Sequence, residues 1–253
     1  MRVLNAAYNH PLPAEEKAVV PLAGGIIQHG YQCGMIWGAA LAAGAQAYRL
    51  WGPGPQAETM AVMATQKLTT AFRTTNRHIN CLELTHIDHT SSTLEMIKYF
   101  VFKGGTISCL IMAKKFAATA LGEINSALNQ EYLVPSSLPV SCAALVARKM
   151  GLSDFNSTMA AGLAGGIGLS GGGCGALGTA IWGQGLKSCK GGKDKVEYKS
   201  PKASETINNF LKYTGYEFEC ATIVGRSFQD VGDHADYLRN GGCSKIMDIL
   251  SVE

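Results

Sequence analysis

Residues 23–44 read AGGIIQHGYQCGMIWGAALAAG, and residues 164–185 read AGGIGLSGGGCGALGTAIWGQG. They stand 141 positions apart and, aligned without a gap, share nine identities in 22 positions, including Cys33 with Cys174 and the glycine after each. A second cysteine follows each at a similar distance: Cys81 lies 48 residues beyond Cys33, and Cys220 lies 46 beyond Cys174. A repeated core helix accounts for the shared apolar residues but does not require a shared cysteine pair. The repeat predicts a mainly α fold of two tandem related helical units, 1–134 and 135–253, with glycine-rich loops before the cysteine-bearing helices. The boundary is placed where Pro135, Ser136, Ser137, Leu138 and Pro139 interrupt helical patterning.

A chain of 253 residues is long enough to bury a real core in one or two domains. Two features of its composition stand out, 30 glycines and only 16% charged residues. The net charge of +3 comes without a basic run, since Lys187, Lys190, Lys193 and Lys195 share one polar loop read over 187–202. Nucleic-acid binding is therefore not implied. The start, Met-Arg-Val-Leu-Asn, has no apolar core of signal-peptide length, so the cytoplasm is expected. In that compartment eight cysteines argue against a disulfide framework and for metal ligands, redox thiols or small buried apolar residues.

Ala18–Tyr48 and Phe155–Leu186 each lack Asp, Glu, Lys and Arg and exceed the ~20 residues of a spanning helix. Gly30, Gly34 and Gly38 add a GxxxGxxxG spacing. Both stretches are rich in Gly, Ala and Ser rather than Leu, Ile or Phe, and glycine fills four of the positions 171–175. Helices packed closely through small residues are expected, not membrane insertion. Such helices can pair between chains as readily as within one, so a homo-oligomer is open.

Ser92-Thr93-Leu94-Glu95 is a capping box ahead of an apolar run closed by Gly104-Gly105. Further helices are expected from Thr106 to Leu121, from about Val140 to Gly151, from a Ser204 cap to Gly215, and from Asp233 to Gly241. The best strand candidate is Ala221-Thr222-Ile223-Val224.

The second unit carries Cys142, Cys174, Cys220 and Cys243, spaced 32, 46 and 23 apart, with no CxxC anywhere. Spacings this long bring thiols from separate helices. Cys174 follows Gly171-Gly172-Gly173 at an expected helix start, and Cys243 follows Gly241-Gly242 in the same manner. Helix N-termini stabilise a thiolate, which suits a metal ligand or a redox nucleophile. The order Cys142, Gly173-Cys174 with Gly178 four residues on, Cys220, Cys243 resembles the redox-active protein family named for its C, GCAxxG, C, C pattern. Gly175 stands where the name has alanine. The resemblance covers roughly residues 138–250. It implies that the four cysteines act as a set in redox chemistry and that the set holds an iron–sulfur cluster.

The first unit reads as a degenerate copy. Subtracting 141 from Cys142 gives Met1, Cys33 and Cys81 persist, and Thr106 follows Gly104-Gly105 with Cys109 three positions later. A second metal site through Cys33, Cys81 and Cys109 is therefore weighed. His29, four residues before Cys33, would share a helical face with it and add a ligand; the alternative is a histidine bonded to backbone at a turn. His86 and His89, just after Cys81, are further candidates.

Four separated thiolates suit an iron–sulfur cluster of two or four irons, a choice the sequence leaves open, and glycine lets backbone N–H groups approach its sulfurs. Zinc accounts for the thiolates but gives less reason for the glycines. A metal-free thiol–disulfide oxidoreductase, pairing Cys174 with Cys220, is the second reading, and a scaffold with structural zinc is the third. The leading expectation is an electron-transfer protein serving a redox partner, with enzyme activity as an oxidoreductase left open. Gly166–Gly171 satisfies GxGxxG but lacks the preceding strand and following acid of a dinucleotide site. Trp37 and Trp182 are read as core, and Cys189 as a free surface thiol.

Overall fold

The computed structural model describes every residue except Leu133, Ser136, 191–195 and Glu253, and the side chain of Lys190 is likewise left aside. Lys193, Lys195 and Ser136, named in the loop and boundary readings, lie outside the described residues. The chain is mainly helical; among the described residues only isolated bridges, Gln32 with Asn80 and Gly173 with Glu219, have strand-like pairing.

The first half runs α1 (Arg2–Ala7), α2 (Pro13–Ala18), α3 (Gly34–Trp51), α4 (Pro55–Asn76), α5 (Cys81–Thr85), α6 (Thr93–Ile97) and α7 (Gly105–Leu128). A π-turn over Lys98–Phe102 joins the last two. The second half runs α8 (Cys142–Lys149), α9 (Asp154–Ala161), α10 (Gly175–Lys190), α11 (Pro201–Tyr213), α12 (Cys220–Val224), α13 (Val231–Arg239) and α14 (Ser244–Ser251). The starts of α2 and α3 recur 141 positions later as the starts of α9 and α10.

The two halves interleave. Helix α3 packs on α9, and α10 packs on α2. Small residues set these approaches: a Cβ on Gly44 would stand 2.5 Å from the Met159 carbonyl oxygen, and one on Gly185 would stand 3.0 Å from that of Ala18. Trp37 and Trp182 are fully buried, as expected, with indole N–H groups donating to the Gln32 and Glu15 carbonyls. A part-buried ion pair, Glu58 with Arg148 at 2.5 Å, also ties α4 to α8. The charge-free stretches thus line a protein core, and no single described helix is long and apolar enough to cross a membrane.

The Ser92 capping box forms as read, with Ser92 and Glu95 bonded reciprocally. Other expectations change. The proposed strand 221–224 is helix α12, because Cys220 and Ala221 donate to the Gly172 and Gly171 carbonyls and set the chain turning there. Ser200 rather than Ser204 caps α11, with Pro201 as its first residue. Asp230 rather than Asp233 caps α13. Helix α7 continues through Gly122 to Leu128, and residues 187–190 of the proposed loop form the last turn of α10.

The segment before Cys33 is not right-handed helix. Gly24, Gly25, Ile26, Ile27 and Gln28 all have positive φ, as do Gly165, Gly166, Ile167, Gly168 and Leu169. Each run is a left-handed turn, a conformation that costs a non-glycine residue roughly 1–2 kcal/mol. The same bonds hold both: Gly30 N–H to Gly24 O and Gly171 N–H to Gly165 O, each at 3.0 Å. His29 therefore does not share a helical face with Cys33.

Candidate metal centre

Six of the seven cysteines read as ligands sit at helix N-termini. Cys33 caps α3 and Cys243 caps α14, while Cys81, Cys142 and Cys220 open α5, α8 and α12. Cys174 immediately precedes α10. Cys109 differs, being the fifth residue of α7.

Backbone bonding sets the pairs. Cys33 N–H donates to Ile79 O (2.8 Å) and Cys81 N–H to Tyr31 O (2.7 Å). In the second half Cys174 N–H donates to Phe218 O (2.9 Å) and Cys220 N–H to Gly172 O (2.6 Å). The sequence repeat is thus also a repeat of hydrogen bonds that clamp two cysteine-bearing helix starts together.

The second half brings its four cysteines together. Cys220 feels the charges of Cys174, Cys142 and Cys243, Cys174 feels those of Cys142 and Cys243, and Cys243 feels that of Cys142. Every pair of the four is therefore in electrostatic reach. In the first half Cys33 feels Cys81 and Cys109, and Cys81 feels Cys109.

Burial pushes these thiols up, and the neighbouring sulfurs push further: Cys174 to about 12, Cys243 to about 11, and Cys220 higher still. Cys33 rises to about 12 for the same first cause. Opposing this, backbone N–H groups of Leu177 and Ala176 bond the Cys174 sulfur, and those of Gly165 and Ala143 bond the Cys142 sulfur. Gly165 belongs to the left-handed turn, which thus delivers a donor to a cysteine 23 residues upstream. These donors offset part of the burial that disfavours anionic sulfur.

Two tyrosines complete the picture and were not singled out from sequence. The Tyr237 hydroxyl lies 3.7 Å from Cys243 Sγ, and its ring covers Gly242, where a Cβ would stand 2.2 Å away. Tyr99 covers Gly105 in the same way, at 2.3 Å, and is raised by burial and by Cys109 and Cys81. The available signal was a tyrosine five or six positions before the second glycine of each pair. A cleft of about 680 Å³, lined by Tyr213, Thr222, Tyr237, Gly242 and Cys243, opens this side of the second cluster to solvent.

His29 stacks on His89, with ring centroids 4.4 Å apart, and packs near Phe218, and burial lowers it to about 4. His86 ends α5 in a left-handed conformation. Cys189 is half-buried in the last turn of α10 rather than in a loop. Among the described residues, no three or more His, Cys, Asp or Glu side chains are placed to hold a single metal ion.

No match was found among curated proteins or solved structures. A family model does match, and it falls on the three-cysteine half rather than on 138–250, where the motif was legible. Over residues 1–122 the chain fits the model described as "Putative redox-active protein (C_GCAxxG_C_C)".

Proposed function

We propose that the chain is an electron-transfer protein in which Cys142, Cys174, Cys220 and Cys243 jointly hold an iron–sulfur cluster. The observation that carries this reading is the meeting of four thiols at four helix starts, every pair within electrostatic reach. Four thiols pushed this far up, three of them buried and Cys243 half-buried, do not ionise together unless a positive core stands between them. Bound there, the cluster supplies one-electron chemistry. The chain's own part is to ligate it, to aim the Gly165, Ala176 and Leu177 N–H groups at sulfur, and to limit water through the Tyr237 ring. Such donors and such burial tune a cluster's potential.

A single zinc ion fits less well. With Zn–S near 2.3 Å, tetrahedral ligands stand about 3.8 Å apart, and no three described candidates are placed for one ion. An inorganic cluster spans more room than an ion. Thiol–disulfide exchange is also disfavoured, because thiols raised to about 11 or 12 offer little thiolate to attack a disulfide.

We read the first half as a related copy holding a second metal site through Cys33, Cys81 and Cys109, with one position left to another ligand. The test is the visible spectrum, iron and acid-labile sulfide of protein purified without oxygen. Cys174→Ser should lose the second-half cluster, and Cys109→Ser only the first-half share of iron. Full iron and an unchanged spectrum in Cys174→Ser overturn the proposal. A colourless protein with a reversible two-electron couple replaces it with dithiol chemistry.

A further inference from the structure

The corner where α6, the π-turn and α7 meet leaves a large apolar surface uncovered. On its first arm Leu94, Ile97, Val101 and Phe102 are exposed, Leu94 at 71% and Phe102 at 78%. On its second arm Ile107, Leu110 and Ile111 are exposed and lie on one helical face. Helix α6 and the π-turn bury no residue. A patch this continuous exceeds what scattered surface residues produce and marks a binding face.

The second half supplies an internal comparison. With Tyr99 set against Tyr237, the positions of Leu94, Lys98, Val101 and Phe102 are filled by Gly232, Asp236, Arg239 and Asn240. The scaffold therefore does not require apolar residues there. Tyr99 and Gly105 are six positions apart, whereas Tyr237 and Gly242 are five apart. The extra residue is taken up by the π-turn, closed by Lys103 N–H to Lys98 O at 2.9 Å. π-turns within helices occur frequently at functional sites.

Charge says what the face meets. Over residues 93–115 there are four lysines, Lys98, Lys103, Lys114 and Lys115, all exposed, against one carboxylate, Glu95. Glu95 is folded back onto Ser92 by the capping box. Lys98 is one turn beyond Leu94, and Lys114 is one turn beyond Leu110, so the cations continue the apolar faces. A second copy packed symmetrically on this face would bring a second set of four lysines to the interface with only Glu95 added as a carboxylate.

We infer that this corner seats on an anionic lipid surface, with Phe102 and its apolar neighbours entering the headgroup region and the lysines meeting phosphate. Apolar insertion with a lysine rim is the pattern of interfacial helices. The two arms, Thr93–Phe102 and Gly105–Leu128, are bent by 61°. By length and composition the pair would also suit a broken span or re-entrant loop, but α7 is packed on α4 through buried Phe116, Ala120 and Ile124, so the corner meets the membrane as a wedge.

The test is flotation of the full-length protein with vesicles of phosphatidylcholine containing phosphatidylglycerol, and with vesicles of phosphatidylcholine alone. Binding to the anionic vesicles is expected at low salt, weakening as salt rises. Phe102→Asp with Leu110→Asp should abolish it without changing the far-ultraviolet circular dichroism. Lys98→Glu with Lys103→Glu should weaken it by roughly 25-fold or more, at about fivefold per lysine. Absence of binding, binding that survives both variants, or a concentration-dependent dimer dissolved by the aspartates, which would assign the face to a second copy, overturns the inference.

Discussion

Gln32 and Gly173 occupy equivalent positions of the repeat, and the Gln32 side-chain oxygen accepts the Gly173 N–H at 2.7 Å. The residue beside each is a cysteine, so this one bond fixes Cys174 relative to Cys33 across the two halves. Gln32 is fully buried, and Gly172 and Gly173 leave room for it, since a Cβ at either would strike its side chain.

Gln32→Ala leaves the Gly173 N–H without a partner in a buried setting. A loss of about 1–3 kcal/mol is expected from urea unfolding. An unchanged midpoint would show that the bond adds nothing to the pairing of the two cysteine segments.

Tyr237→Phe removes the hydroxyl next to Cys243 Sγ. With a cluster bound, a donor to a ligating sulfur stabilises the more negative, reduced state, so its loss should move the potential to more negative values. Iron content should stay at the parent level, because no ligand is lost. A redox titration that finds the parent potential would place the hydroxyl outside the sulfur's influence.

Much of this site was legible because cysteines, glycine runs and the Ser92–Glu95 box are local signals with local causes. Cys142, Cys174, Cys220 and Cys243 stand out in the sequence, and the fold sets every pair of them within electrostatic reach. What escaped depended on context. Ile26, Ile27 and Gln28 carry no glycine to announce a left-handed turn, and only the bonds to Pro21, Leu22 and Ala23 carbonyls hold them there. Thr222, Ile223 and Val224 are β-formers, yet the clamp of Cys220 on Gly172 starts a helix through them. The apolar corner went unread because Ile107, Leu110 and Ile111 carry the same periodicity on a covered or an open face.

His29 carries a pH dependence. Burial, first, and then His89 and Lys199 hold it at about 4, against 6.5 when unfolded. Between these values the native chain binds fewer protons than the unfolded one, so stability falls as pH drops from about 6.5 towards 4. His29→Phe keeps a ring against His89 and Phe218 and should flatten that slope. A parent protein equally stable at pH 7 and pH 5 would refute the assignment.

Arg148→Met should cost about 3–5 kcal/mol, because it leaves the fully buried Glu58 carboxylate unpaired. Replacing both residues by methionine should recover most of that loss, since two apolar side chains of similar volume need no partner. The double-mutant cycle, run by denaturant unfolding, separates the pair's coupling from the packing of either side chain. Additive losses would mean that the halves are held here by packing alone.

Gly166 and Gly151 both have positive φ, +78° and +72°, but they differ in surroundings. A Cβ on Gly151 meets nothing within 4 Å, whereas one on Gly166 would stand 2.5 Å from both the backbone nitrogen and oxygen of Gly172. Gly151→Ala should therefore show only the left-handed cost, about 1–2 kcal/mol. Gly166→Ala adds overpacking against backbone, a further ~1–3 kcal/mol, and displaces the carbonyl that accepts the Cys220 N–H. Its iron content should fall as well, because Cys220 loses the bond that sets its helix start. Equal stability losses in the two variants, with iron retained in both, would mean that the left-handed turn tolerates displacement and does not position the thiols.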